Sequence, residues 1–516
     1  MKVNTVCILG GGTSGFMTSS ILAKYREQLD LDFNIKLIYS DTIGSIGVGE
    51  STIFNINMLF QYLELKDSDW MSSCNATYKS SIRFENFYKK GRYFYYPFGP
   101  SRSDIDPKQW FTLKEVYPEI FTPERASLFL NEYTILCEEN KLCNDNDYLK
   151  NCTAYHFDSY LMGEYLRKYS EKRGVEVIDD TFLEANLKDD GSIESIVCEN
   201  AIYEADLFVD CSGFKSLLLG GVMEEEYISY DKTLINNKAL VAKVPYKHKK
   251  IQLKNYTNCV ALDNGWIWEI PLWDFLSYGY VHTNKFASEK EIEQEFFNHI
   301  GEEVDYNVVN FKTGRYSRGW VKNVVAVGLS YGFIEPLEST GIATTLGNVF
   351  RLIECLSKRD MYYTQVDRDV FNHSTSHSVD SFRTFLDLHY CLSSRNDSEY
   401  WRYVTENNYD NPMHKSFIVD LILRKEIGNN SQTDMYGNSL FGGDVFIVAG
   451  MNYSCFQKHF ILKSCNKDKL KKECDIFEKY LRELKSYTTN LSSSYNYLKK
   501  EIYSKNLMSA NWQSVH

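Results

Sequence analysis

Close to the start of the chain, Gly10-Gly11-Gly12-Thr13-Ser14-Gly15 sets glycines at the G-x-G-x-x-G spacing. Glycines so placed allow a tight turn and close approach of a pyrophosphate, and a helix beginning there turns its free amide N–H groups toward phosphate oxygens. On these residues alone NAD, FAD and an empty glycine turn stay open. A dinucleotide ribose is commonly met by an acid ~20 residues further on, at the end of the next strand. Here the sequence is Tyr39-Ser40-Asp41, and only Asp41 could serve, slightly late. The run FYKKGRYFYYPFGP, residues 87–100, is dense in aromatics that either line a ligand pocket or fill a core. Trp266 and Trp268 alternate as ordinary strand core does.

These residues need a scaffold, and the pattern supplies one. VCILG, the glycine turn and FMTSSILAKYREQL read as strand, turn and helix, with Ile35 to Tyr39 as the returning strand of a βαβ unit. This is the opening of a doubly wound α/β fold. Residues 50–150 read as irregular; further strand-like runs recur at VEVID, LFVDCSG, ALVAKVPY, WIWEIPL and VVAVGLS. After Gly341 the pattern is mostly helical, with Leu470, Cys474, Phe477, Leu481 and Leu484 forming an amphipathic stripe. The domain expectation is a cofactor-binding domain over 1–345, the FAD-binding domain of the resemblance given below, with 50–150 inserted and contributing to the substrate pocket, then a mainly helical substrate and C-terminal module over 346–516.

Composition narrows the function classes. The 516 residues are 43% hydrophobic and 24% charged with nine prolines, a folded globular chain long enough for a large core. A net charge of −12 offers no footprint for nucleic acid. No run approaches the ~18 apolar residues of a membrane span, and the apolar start, Val6 to Leu9, ends in glycines and not in a cleavage site. Thirteen cysteines without a Cys-x-x-Cys pair point to a reduced, cytoplasmic setting and to no metal site.

Three more segments appear in order: Ile46-Gly47-Val48-Gly49-Glu50-Ser51-Thr52, Phe208-Val209-Asp210-Cys211-Ser212-Gly213-Phe214, and Gly328-Leu329-Ser330-Tyr331-Gly332-Phe333-Ile334-Glu335-Pro336-Leu337-Glu338-Ser339-Thr340-Gly341. With the glycine turn they resemble the flavin-dependent halogenases of the tryptophan-halogenase family. Gly265-Trp266-Ile267-Trp268-Glu269-Ile270-Pro271, Tyr155-His156-Phe157-Asp158 and His389-Tyr390 followed by Trp401 extend the likeness over about residues 5 to 455. The resemblance implies a p-hydroxybenzoate-hydroxylase-like FAD domain. It also implies an enzyme that uses FADH2, O2 and halide to make hypohalous acid, which travels to a lysine and halogenates an aromatic small molecule.

By the same resemblance Lys79 is that lysine, an amine that hydrogen-bonds the oxidant or captures it as a haloamine. Glu338 is the active-site carboxylate, which also reads as part of a helix start. Gly10, Gly12, Thr13, Ser14, Gly15, Gly49, Glu50, Leu329 and Ile342 fall to the flavin. The amides of Thr340 and Gly341 fall to the halide, and Trp266 and Trp268 shield the flavin from organic substrate. No second glycine fingerprint is present, so the electrons are expected from a separate NAD(P)H-dependent flavin reductase. The sequence leaves open the oligomeric state, a homo-oligomer included.

Departures from the family pattern bear on substrate. Members acting on free tryptophan hold indole between a His-Pro-Phe segment and a C-terminal tryptophan. Here Tyr96-Pro97-Phe98 stands at the first place and Asn438-Ser439-Leu440-Phe441-Gly442-Gly443 at the second, without a tryptophan. The expectation is a pocket bounded by Tyr96 and Phe98, not strict for free tryptophan, accepting small electron-rich aromatics or heteroaromatics, with bromide or iodide favoured over chloride. The competing readings are a flavin monooxygenase that hydroxylates its substrate, against which Lys79, Trp266 and Trp268 argue, and a non-catalytic flavin-binding protein, against which Lys79 and Glu338 together argue.

Overall fold

The computed structural model describes residues 2–42, 48–409, 443–454 and 458–504. Ile46 and Gly47 of the second glycine segment, and Asn438 to Gly442, lie outside the described residues. The chain forms two compact units, each assembled from three stretches: Met1–Ala76, Phe157–Leu234 and Phe311–Phe382 make the first, and Thr77–His156, Ile235–Asn310 and Arg383–His516 the second.

The first unit is built on a six-stranded sheet in the order Trp320–Val321, Val324–Ala326, Leu207–Asp210, Thr5–Leu9, Asn34–Tyr39, Glu176–Asp179. All neighbours run parallel except the first pair. Thr5–Leu9 has partners on both sides, with Cys7 level with Phe208 and with Lys36, and its residues from Val6 onward are buried. That burial explains its unbroken apolar run, since a central parallel strand is covered on both faces. The helix Thr13–Gln28 follows, its Ser19 and Ser20 hydroxyls meeting Ser170 Oγ at 2.8 and 3.0 Å on the helix Ser159–Glu171. Small hydroxyl residues there let the two helices approach closely while each buried polar atom keeps a partner.

The second unit is built on a seven-stranded sheet in the order Asn307–Asn310, Lys238–Pro245, Phe275–His282, Gly265–Pro271, Tyr256–Ala261, Ser81–Glu85, Tyr93–Pro97. It is antiparallel except where Tyr256–Ala261 meets Ser81–Glu85. On one face Ile292 and Phe296 of the helix Glu289–Ile300 complete a core with Leu240, Ala242, Val244, Val260, Ile267 and Tyr280. The helical stripe is confirmed by Lys467–Thr488, in which Leu470, Cys474 and Phe477 are buried and Phe477 stacks on Phe121 at 5.2 Å.

The segment read as irregular contains the strands Thr77–Lys79, Ser81–Glu85 and Tyr93–Pro97. They are short, and Tyr93–Pro97 is aromatic at every position but its proline, so the alternation that marks a half-buried strand is hidden.

Gly10 tests the first unit. Its φ is +121°, and a Cβ there would lie 2.2 Å from the Cys211 carbonyl oxygen, whereas a Cβ on Gly12 meets nothing within 4 Å. Gly10→Ala is expected to lower unfolding free energy by about 2–4 kcal/mol and Gly12→Ala by less than about 1 kcal/mol. Urea denaturation of the two variants checks this, and equal losses would contradict it.

Candidate functional site

In the first unit the residues expected at the flavin converge. A Cβ on Gly15 would sit 1.9 Å from the Gly10 carbonyl oxygen, and one on Gly11 would sit 2.5 Å from Tyr39 Cβ, so these glycines are required by packing. Gly12 alone faces open space, at the N-terminus of Thr13–Gln28, a helix with no acidic residue in its first turn. Free amide donors beside an unfilled cradle fit a pyrophosphate. The side chains of Thr13 and Ser14 are turned elsewhere: Thr13 Oγ1 donates to the Ser159 carbonyl (3.2 Å) and Ser14 Oγ lies 3.2 Å from Thr345 Oγ1. What they offer an anion is therefore their backbone amides and not their hydroxyls.

Gly328, at φ +66°, brings the loop bearing Leu329 onto that same pair, for a Cβ there would meet Ser14 Oγ at 2.6 Å and Thr345 Oγ1 at 2.8 Å. The helix Gly341–Ser357 starts with Gly341 and the buried Ile342, while Leu329 is half-buried. The glycine turn, the Leu329 loop and the Ile342 helix thus close on one point. Gly49 and Glu50 lie on the strand Gly49–Ser51, held by reciprocal bonds between Val48 and Ser159: Ser159 Oγ donates to the Val48 carbonyl (3.0 Å) and accepts its amide (3.2 Å). Burial pushes the Glu50 carboxyl up to about 7.

Glu338 is buried at the end of the turn Pro336–Glu338. Ser339 follows in the left-handed region, φ +57°, with its hydroxyl on Ser51 Oγ at 3.0 Å. This strained residue turns the chain so that Thr340, buried, becomes the N-cap and Gly341, exposed with nothing within 4 Å of a Cβ, the first residue of the next helix. Asp41 is exposed past the end of its strand, and Tyr39 instead lies against Gly11 with the Arg167 guanidinium 5.0 Å from its ring centroid.

In the second unit Lys79 ends the strand Thr77–Lys79 with 0% exposure. Nearly every lysine keeps its ammonium in water; this one has its Nζ 5.2 Å from the centroid of the Phe98 ring. Phe98 continues into an aromatic cluster: Tyr96 meets it edge-on at 6.1 Å, meets Phe385 edge-on at 6.0 Å, and stacks on Phe446 at 6.0 Å and 29°. Gly443 is flush with Tyr96, since a Cβ there would be 2.3 Å from the ring. Trp266, fully buried, and Trp268, half-buried, share one face of Gly265–Pro271 with centroids 6.2 Å apart, and Trp268 lies across Gly279. Trp268 Nε1 is buried and donates to no described residue.

Lys79, Tyr96, Phe98, Trp266 and Trp268 therefore belong to the second unit, and the glycine turn, Gly49, Glu50, Leu329, Glu338, Thr340, Gly341 and Ile342 to the first. Sequence reasoning missed Phe385 and Phe446 beside Tyr96. The signal was faint, for both lie on helical segments far from residue 96 in sequence.

The family model described as tryptophan halogenase matches residues 5–460. The tryptophan 6-halogenase SttH of Streptomyces toxytricini is 35% identical over 423 residues, 77% of this chain and 80% of that protein. Its crystal structure superposes with a TM-score of 0.85 at 31% identity, over 96% and 99% of the two chains. The apo structure of VirX1 matches at 36% identity and a TM-score of 0.86, over 98% and 100%. BrvH, a flavin-dependent halogenase from Brevundimonas sp. BAL3, matches at 25% and 0.84, over 96% and 99%.

Glu50 gives the testable consequence of this geometry. Its pKa lies above the ordinary 4.5 in the folded chain, so the folded state holds the proton more tightly than the unfolded one. The stability it contributes is complete below pH 4.5 and is lost as pH rises to about 7. Glu50→Gln escapes that loss, and its advantage over the wild-type apoprotein should widen by about 1–3 kcal/mol between pH 5 and pH 7.5 in urea denaturation. A gap independent of pH would contradict the assignment.

Proposed function

The chain belongs to the tryptophan-halogenase family, whose members are flavin-dependent enzymes, and from that premise we propose that it halogenates a small electron-rich aromatic or heteroaromatic molecule through Lys79. The carrying observation is the complete burial of Lys79 against an aromatic cluster. When bound, reduced FAD with O2 supplies the oxidising equivalent that converts halide to hypohalous acid. The amides at the start of Thr13–Gln28, the open side of Gly12, and the strand Gly49–Ser51 would hold the cofactor, with Leu329 and Ile342 as its apolar contacts. Thr340 and Gly341 present amide donors to the halide where no cationic side chain is needed.

Lys79 then acts in one of two balanced ways. Its amine donates a hydrogen bond to hypohalous acid, or its nitrogen takes the halogen while the oxygen leaves as water. In either case the halogen passes to an aromatic carbon and the ring proton leaves, with Glu338 as the base that accepts it. Burial serves this chemistry by excluding water that would compete for the oxidant. The family resemblance gives Trp266 and Trp268 the role of keeping organic substrate from the cofactor, so that the outcome is halogenation and not hydroxylation.

Tyr96 supports a substrate other than strictly free tryptophan. Its ring is already stacked on Phe446 and bordered by Phe385, Phe98 and Gly443, so it is a wall of a pre-packed aromatic cluster and not half of an open indole clamp. Backbone amides sort halides weakly, and oxidation becomes easier from chloride to iodide, which favours bromide and iodide. Electrons come from a separate flavin reductase that consumes NAD(P)H.

The test is mass spectrometry of reactions with FAD, a flavin reductase with NADH, one halide at a time, and a panel of indoles, phenols and pyrroles. The wild type is expected to yield halogenated product, fastest with bromide or iodide at equal concentration. Lys79→Ala should lose product ~100-fold or more while still consuming reduced flavin. Oxygenated product without halogen, or Lys79→Ala matching the wild type, would contradict the proposal; a chloride rate above those for bromide and iodide would overturn the halide order.

A further inference from the structure

Thr77–Lys79 pairs antiparallel with Ala154–Asp158, placing Thr77 opposite His156 and Lys79 opposite Ala154. Strand alternation puts Thr77, Lys79 and His156 on one face. His156 has 0% exposure, and both its ring nitrogens are engaged: Nδ1 lies 3.0 Å from Thr77 Oγ1 and Nε2 lies 2.9 Å from Thr257 Oγ1. The direction of these bonds follows from a third. The Thr77 hydroxyl donates its one proton to the Pro271 carbonyl at 2.6 Å, so toward Nδ1 it can only accept, and Nδ1 must carry the hydrogen.

A second proton on Nε2 would make an imidazolium with no access to water, and burial first, then the charge of Lys79, hold the ring well below its ordinary pKa. Nε2 is thus a lone pair that accepts from Thr257. Of the carboxylates on the strands involved, Glu269 pairs with His299 Nε2 at 2.7 Å and with Asn258 Nδ2 at 3.0 Å, and the buried Asp158 accepts the amides of Tyr160 and Leu161 at 3.0 and 3.2 Å. The chain Thr257, His156, Thr77, Pro271 therefore crosses four strands, those of Thr257, of His156, of Lys79 and of Trp266 and Trp268.

We propose that His156, held as the neutral Nδ1–H tautomer between Thr77 and Thr257, is a positioning residue that fixes the strand of Lys79 against the tryptophan strand for halogen transfer. This rests on the reading of Lys79 given above. A neutral ring ties the strands together without adding a charge beside the ammonium, which a salt-bridged residue could not do. The Nδ1–H form is the less common one for a free histidine side chain, so it is a fingerprint of this network.

The proposal is tested on the full-length protein labelled with 15N and 13C histidine. The wild-type ring of His156, assigned by its loss in His156→Asn, is expected to show the Nδ1–H pattern and not to titrate between pH 6 and pH 9. Thr77→Val should shift the ring to the Nε2–H form and lower kcat ~10- to 100-fold with KM unchanged, whereas Thr77→Ser, which keeps the hydroxyl, should restore both. An Nε2–H or titrating ring in the wild type overturns the proposal without any variant. A dead Lys79→Ala beside a fully active Thr77→Val overturns the positioning role alone; a fully active Lys79→Ala overturns the reading of Lys79 beneath it, and the proposal with it.

Discussion

A lysine with no exposed surface is the constraint on which the site depends. Removing an ammonium from water costs several kcal/mol unless its surroundings answer the charge. At Lys79 the fold places an aromatic face, that of Phe98, and a histidine held neutral by burial and by the lysine's own charge. In the proposed role, the same burial that makes the lysine expensive would keep water from a reactive oxidant, so the stability cost and the chemistry would share one origin. The strand carrying it is only three residues long, and its order comes from neighbours: Ala154–Asp158 by the ladder, and Gly265–Pro271 through Thr77.

The first unit answers a different requirement, the approach of a polyanion to backbone. Packing claims Gly10, Gly11 and Gly15, while Gly12 and Gly341 each leave open space at a helix N-terminus. Hydroxyl contacts among Ser14, Thr345, Ser339 and Ser51 draw the two turns into fixed positions without placing a fixed charge there. A neutral, amide-lined surface suits phosphate and halide alike. On the neighbouring strand the Glu50 carboxyl is pushed up to about 7, which limits the repulsion an anion would meet from it.

Much of this was legible in the sequence because local rules act locally. The strand, glycine turn and helix of residues 5–28 and the strands at 34–39, 207–210 and 265–271 follow from apolar runs and turn residues. The motifs located Lys79 and Glu338, though the pattern could not show that both are buried. Tyr93–Pro97 was hidden by its own aromatic density. Thr13 and Ser14 read as cofactor-binding residues by resemblance, yet their side chains serve partners more than 140 residues away, which no spacing rule foresees. The interleaving of two units, each from three stretches, is likewise a long-range property. His156 was visible only as part of a motif; its role depends on threonines 79 and 101 positions away in sequence.

The central claim, that halogenation passes through the Lys79 amine, is tested in its covalent form, with the halogen taken up on nitrogen, most directly by separating oxidation from transfer in time. Enzyme is turned over with reduced flavin, O2 and bromide in the absence of substrate, freed of small molecules by rapid gel filtration, and only then mixed with an electron-rich indole. The account predicts brominated product from the wild-type protein, up to one equivalent per chain, and none from Lys79→Ala treated alike. Equal bromination by both proteins, or bromination of indole only while flavin and O2 are present, would contradict it.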